Sequence, residues 1–141
     1  MQEKVALLLM ADTIENIDSV MASIQVELRK KHNQAIVDEL CLVIRGQDPM
    51  FHGVDHRTLA LKTLAGVRSN QLCFLVACII RWLCTFETDG DLLFSAIASA
   101  THLTVGGKRA IQPSVRKLEK RASPRLQQAI LAFRQEARRH A

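Results

Sequence analysis

The sequence predicts an all-α fold: a single compact helical domain with a basic C-terminal helical tail. Three observations lead there. Apolar residues recur at steps of three and four along most of the chain, and no stretch alternates with period two for long. The breaks between these series carry helix caps and stops, not hairpin turns. With 141 residues and 48% hydrophobic side chains, the chain has the length of one domain and enough apolar material for a core.

Taken in order, Ile14, Ile17, Met21, Ile24 and Leu28 form one stripe along a first long helix. Such a stripe serves either as an ordinary core face or as a short coiled-coil seam. Ile36, Leu40, Val43 and Ile44 form a second apolar series that stops at Arg45-Gly46, with glycine where a helix C-cap places it. Asp48-Pro49 marks a loop, and Asp55 is the expected cap of a short helix through Leu59, Leu61 and Leu64 that ends near Gly66. Ser69 then caps a helix from about Asn70 to Phe86, which the Glu87-Thr88-Asp89-Gly90 break ends. Asp89 or Asp91 starts another through Leu92, Leu93, Phe94, Ala96 and Ile97. Ser123-Pro124 opens a last helix that buries Leu126, Ile130 and Phe133. The division expected is a core of residues 1–105 and a tail of residues 106–141, hinged at Gly106-Gly107.

The most apolar stretch, QLCFLVACIIRWLC at 71–84, tests three readings. Only nine apolar residues precede Arg81, whereas a membrane span needs about 20, so no membrane segment is expected. Cys73, Cys78 and Cys84 are five and six apart, and helical residues at those intervals do not share a face, which argues against a zinc site. What remains is a buried helix. Its apolar surface is wider than one small domain needs to cover, and this favours an intertwined dimer.

Catalytic chemistry finds no footing. No Gly-x-Ser-x-Gly elbow is present, and Gly106-Gly107-Lys108 only faintly echoes a phosphate loop. His52 and His56 are four apart, but no HExxH motif or carboxylate completes a ligand set around them. No enzyme, cofactor or metal is expected. The chain opens without a secretory leader, and its four cysteines lack CxxC pairing, so a reducing, cytoplasmic setting is expected.

Charge gives the positive lead. Residues 1–105 carry nine Lys/Arg against twelve Asp/Glu, while residues 106–141 carry ten against two. Lys108, Arg109, Arg116, Lys117, Lys120, Arg121 and Arg125 cluster there, in a pattern suited to a polyphosphate such as DNA, whose neutralised phosphates release counterions. A solvated basic surface that binds nothing is the alternative. The helices at about 70–86 and 91–102, with a tight turn between them, outline a helix-turn-helix. Its second helix nevertheless offers only His102 and small hydroxyls to base edges.

Met50-Phe51-His52-Gly53-Val54, then Leu59 and Leu64, Gln71-Leu72, Leu75, Ala77, Leu83-Cys84 and Phe86-Glu87-Thr88-Asp89 resemble the FlhD subunit family of the bacterial flagellar master activator. Leu126-Gln127-Gln128 looks like the family's Leu-Gln-Gln near its C-terminal helix. The resemblance covers roughly residues 14 to 100 plus that late helix. Ile79-Ile80 and Phe86-Glu87-Thr88 depart from the family pattern, as in a divergent branch such as the FlhD-like subunits of activators carried by mobile elements. The resemblance implies a helical, intertwined homodimer that joins an FlhC-like zinc-binding partner, binds promoter DNA and recruits RNA polymerase. On this reading Ile14, Ile17, Met21, Ile24, Leu28, Trp82 and Cys84 build the dimer, and the seven basic residues hold phosphates. The competing expectation is a small helical adaptor or chaperone-type interaction module that does not bind DNA.

Overall fold

The computed structural model describes residues 2–139, and among them the chain is all-helical, as its periodicity predicts. The chain divides after Ser69 into two compact units of four helices each.

The first unit contains α1 (Glu3–Met10), α2 (Ile14–Lys30), α3 (Gln34–Ile44) and α4 (Val54–Ala65). Helix α1 packs on each of the other three, while α4 also contacts α2 and α3. Val5 and Leu8 of α1, Ile24 of α2, Ile36, Leu40 and Ile44 of α3, and Leu61 and Leu64 of α4 are fully buried in this unit. Side-chain caps start three of the helices: Gln2 accepts from the Val5 N–H, Thr13 from Asn16 and Asn33 from Ile36.

Helix α3 ends as the sequence predicts. Gly46 has φ +73°, the Gln47 N–H donates to the Leu42 carbonyl, and the Gly46 N–H donates to Val43, which completes a Schellman motif. Helix α4 begins one residue before its expected cap: Gly53 is the N-cap and Asp55 sits in the first turn. His52 therefore precedes the helix, so it does not share a helical turn with His56, which packs edge-on to Phe51 at 5.1 Å. Asp48 ties this loop together by accepting from the N–H groups of Met50 and Phe51, both at 2.9 Å. Burial works against its charge, but those two donors and Glu39 hold its carboxyl below the usual value.

Two arginines close the helix ends of this unit. Arg29 donates from Nε to the Val67 carbonyl and from Nη2 to Gly66, satisfying carbonyls at the C-terminus of α4. Arg57 donates from Nε to the Ile44 carbonyl at 2.8 Å and closes the end of α3.

The second unit contains α5 (Asn70–Phe86), α6 (Gly90–Ala100), α7 (Val105–Glu119) and α8 (Pro124–Arg139). Each helix packs chiefly on two neighbours, in the cyclic order α5, α6, α8, α7. Helix α5 buries Leu72, Val76, Ile79, Ile80 and Leu83, and α7, which packs most extensively on it, buries Ile111, Val115 and Leu118. Helix α8 seats Leu126, Ile130 and Phe133. The Glu87-Thr88-Asp89-Gly90 break is a pair of side-chain caps: Glu87 accepts from the Thr88 and Asp89 N–H groups, and Asp89 from those of Asp91 and Leu92.

The segment 106–141 thus contributes two helices to this unit, and α7, like α1 of the first unit, is an element that the sequence reading did not place. Gly106 and Gly107 do not form a hinge. They lie in the first turn of α7, where Thr104 accepts from the Gly107 N–H at 3.1 Å. Glycine is suited to position 107 because a Cβ there would sit 3.3 Å from Leu103 and from the capping hydroxyl. Pro113 lies inside the helix, so the Arg109 carbonyl lacks its usual donor, yet the apolar series at 111, 115 and 118 keeps the segment helical.

Gly46→Ala is expected to destabilise the first unit by about 1 kcal/mol, because a side chain is strained at positive φ. Equilibrium urea unfolding measures it, and an unchanged midpoint would contradict the left-handed α3 terminus.

Candidate nucleic-acid interface

The apolar face of α7 fixes where its cations point. Gly107, Ile111, Val115 and Leu118 are buried, so residues 109, 112 and 116 fall on one flank and 117 and 120 on the outer side. On α8 the buried series 126, 130 and 133 leaves Arg134 and Arg138, four apart, on one flank, and Arg125, Gln128, Ala129 and Ala132 on the other.

The basic flanks of α7 and α8 meet. Gln112, Arg116, Arg134 and Arg138 line a cleft of about 460 Å³. A smaller cleft of about 130 Å³, lined by Val105, Lys108, Arg109, Gln112 and Ala137, shares Gln112 with it. Arg134 is ion-paired with Glu119, which stands at the end of α7. Arg139 and Glu136 form a separate pair along α8 at 3.6 Å. The second unit carries eleven Lys/Arg against five Asp/Glu, so these two acids leave most of the positive charge uncompensated. Part of that charge suits its helix ends, since Arg116, Lys117, Arg138 and Arg139 lie in last turns, where the dipole favours cations. The dipole does not account for the convergence of α7 and α8 guanidinium groups on one cleft.

Of the seven basic residues singled out in the sequence, three join this surface: Lys108, Arg109 and Arg116. Lys108 does so although only 5% of the residue is exposed. Lys117 and Lys120 are exposed on the outer side of α7. Two are committed elsewhere. Arg121 donates from Nη2 to the carbonyls of Cys84 and Glu87, at 2.9 and 3.0 Å, and so closes the C-terminus of α5. Arg125 pairs with Asp91 at 3.0 Å and lies over the Phe94 ring at 4.1 Å, on the flank of α8 that faces α6. Composition alone did not separate these roles. The i, i+4 pair Arg134 and Arg138, next to the buried Phe133, was the readable signal for the missed part of the surface.

Helix α6, the second helix of the helix-turn-helix outline, exposes Asp91 and Ala98 and has Phe94, Ser95 and Ser99 half-buried, with no Lys or Arg of its own. The cationic face of the unit belongs to α7 and α8.

The residues assigned to dimerisation divide by depth. Ile14 is 74% exposed, while Ile17, Met21 and Trp82 are half-buried. Ile24 and Leu28 lie within the core of the first unit and Cys84 within that of the second, so in this fold these three do not reach a surface that a second copy could touch. The exposed apolar residues of α5 are instead Phe74 at 79% and Phe86 at 67%; Phe86 lies against Trp82, with ring centres 5.8 Å apart.

The thiols differ accordingly. Burial pushes Cys84 up to about 12, and Arg121 only partly opposes it. Cys78 is exposed on α5. Among the described residues no group of three or more His, Cys, Asp or Glu is placed to hold a metal ion, and no helix is long and apolar enough to cross a membrane. Comparison with protein-family models, curated proteins and solved structures finds no match to this chain.

Iodoacetamide at pH 8 is expected to label Cys78 within the time that leaves Cys84 untouched, as followed by peptide mass spectrometry. Equal labelling rates would show that the end of α5 is open.

Proposed function

We propose that this chain is a DNA-binding subunit of a transcription activator, with the α7–α8 face as its phosphate-contacting surface. One observation carries the proposal: guanidinium groups from two helices converge on a cleft of about 460 Å³, beside a second cleft that holds Lys108 and Arg109. Guanidinium groups offer paired donors in a plane, a geometry matched to phosphate oxygens. Neither cleft has an aromatic lining residue, which leaves no platform for stacking single-stranded bases and favours a duplex backbone. Contacts of this kind position a protein on DNA without reading its sequence.

That limitation agrees with the FlhD resemblance, in which an FlhC-like zinc-binding partner shares the DNA contact and the assembly recruits RNA polymerase. In this reading the protein works in the cytoplasm as a homodimer. Phe74, Cys78, Trp82 and Phe86 recur every four residues along α5, and their exposed apolar surface is the kind that protein contacts cover.

Deleting residues 106–141 would remove half of the second unit, so point substitutions are the proper test. Replacing both Arg109 and Arg116 by Glu is expected to weaken duplex DNA binding at least about tenfold for every sequence, and to flatten log K against log [salt] by about one unit per lost phosphate contact. Arg121→Ala is expected to lower the melting temperature and leave that slope unchanged, because Arg121 holds α5. Fluorescence anisotropy over a salt series reads both, and an unchanged slope in the double variant would reject the interface.

A further inference from the structure

We infer that the α7–α8 cleft is a seat for a phosphate group, with Arg116, Arg134, Arg138 and Gln112 as donors and Glu119 as the resident counter-ion that phosphate displaces from Arg134. For nucleic acid as the ligand, this inference rests on the reading above; for phosphate itself it stands alone.

The charge balance points to such a ligand. Three arginines line the cleft, and among the described residues Glu119 pairs with one of them, Arg134. The excess of two positive charges matches a phosphate dianion, or two successive phosphodiesters of a nucleic-acid backbone. Gln112 lines both clefts and supplies a neutral amide donor that adds no repulsion. The volume of about 460 Å³ falls in the range of roughly 300–1,000 Å³ usual for small-ligand sites, which leaves room for what the phosphate is esterified to.

Glu119 sets the competition. Its side chain is 40% exposed and that of Arg134 26%, so the pair sits at the rim, where solvent and ligand reach it. An arriving phosphate offers Arg134 the same paired acceptor geometry, and it also bonds Arg116 and Arg138, which Glu119 leaves to solvent or ligand. Release of Glu119 into water makes the exchange feasible at moderate salt, because a rim pair is a weak competitor. Binding is therefore tuned below what the three arginines alone would give.

Two probes separate the sources of phosphate: inorganic pyrophosphate, followed by calorimetry, and a random-sequence 30-base-pair duplex, followed by anisotropy in the same buffer. Arg134→Ala with Arg138→Ala is expected to weaken both at least about tenfold. Arg138→Ala alone, at an exposed position, serves if the double variant melts early, with an expected loss of about three- to tenfold. Glu119→Gln is expected to tighten both about two- to fivefold, as loss of a rim ion pair predicts. Unchanged binding of both probes in the arginine variants, or weaker binding in Glu119→Gln, would overturn the seat. Duplex binding that ignores all the cleft substitutions would reject the seat for nucleic acid and leave DNA binding by other residues standing. Cleft-dependent pyrophosphate binding without duplex binding would uphold the seat for a free polyphosphate and reject the DNA reading.

Discussion

The packing of α7 along α5 is the constraint on which the candidate interface depends. Helix α7 packs along α5 with Ile111, Val115 and Leu118 buried, and α5 buries Val76, Ile79, Ile80 and Leu83. At about 100° per residue, that seam leaves no choice about the side chains between its members. Arg109, Gln112 and Arg116 take the flank toward α8, and Lys117 takes the outside. Helix α8, fixed by Phe133 and Ile130, answers with Arg134 and Arg138. The basic cleft thus follows from two apolar seams, and a change in either would rotate the cations away from one another.

Arginine does two kinds of work in this chain. Arg29, Arg57 and Arg121 each reach back to main-chain carbonyls at or just past a helix end. There the charge meets unsatisfied acceptors and the negative end of the dipole. Arg116 and Arg138 line a cleft instead, and Arg134 meets a carboxylate at its rim. Local chemistry is the same in both groups. Partners supplied by distant parts of the chain make one set structural and leave the other able to receive an anion.

Helix α8 has different company on its two flanks. On one it meets the arginine cleft of α7; on the other, Phe94, Ala98, Thr101 and His102 of the α6 side form a groove of about 650 Å³ with Arg125 and three small or polar residues of α8. Arg125 engages both Asp91 and Phe94 on that second flank, at the surface. A basic residue there meets a carboxylate and a ring of α6, whereas Arg116 and Arg138 line the cleft on the opposite flank.

By itself the sequence determined the helical class, several of the helix ends and the excess of positive charge after residue 105. Those features rest on local physics: apolar spacing, the glycine at the end of α3, the Asp89 cap and the Ser123-Pro124 start are each encoded within a few residues. It did not reveal α7, because Gly106, Gly107 and Pro113 read locally as breakers while the packing that overrides them lies some thirty residues away on α5. It also left buried residues such as Ile24, Leu28 and Cys84 looking free to meet a partner, since an apolar stripe carries no mark of what covers it. Only the tertiary structure decided which arginines are spent on carbonyls and which converge, because convergence depends on how two helices are turned toward each other, and that rotation is set by the core both of them share.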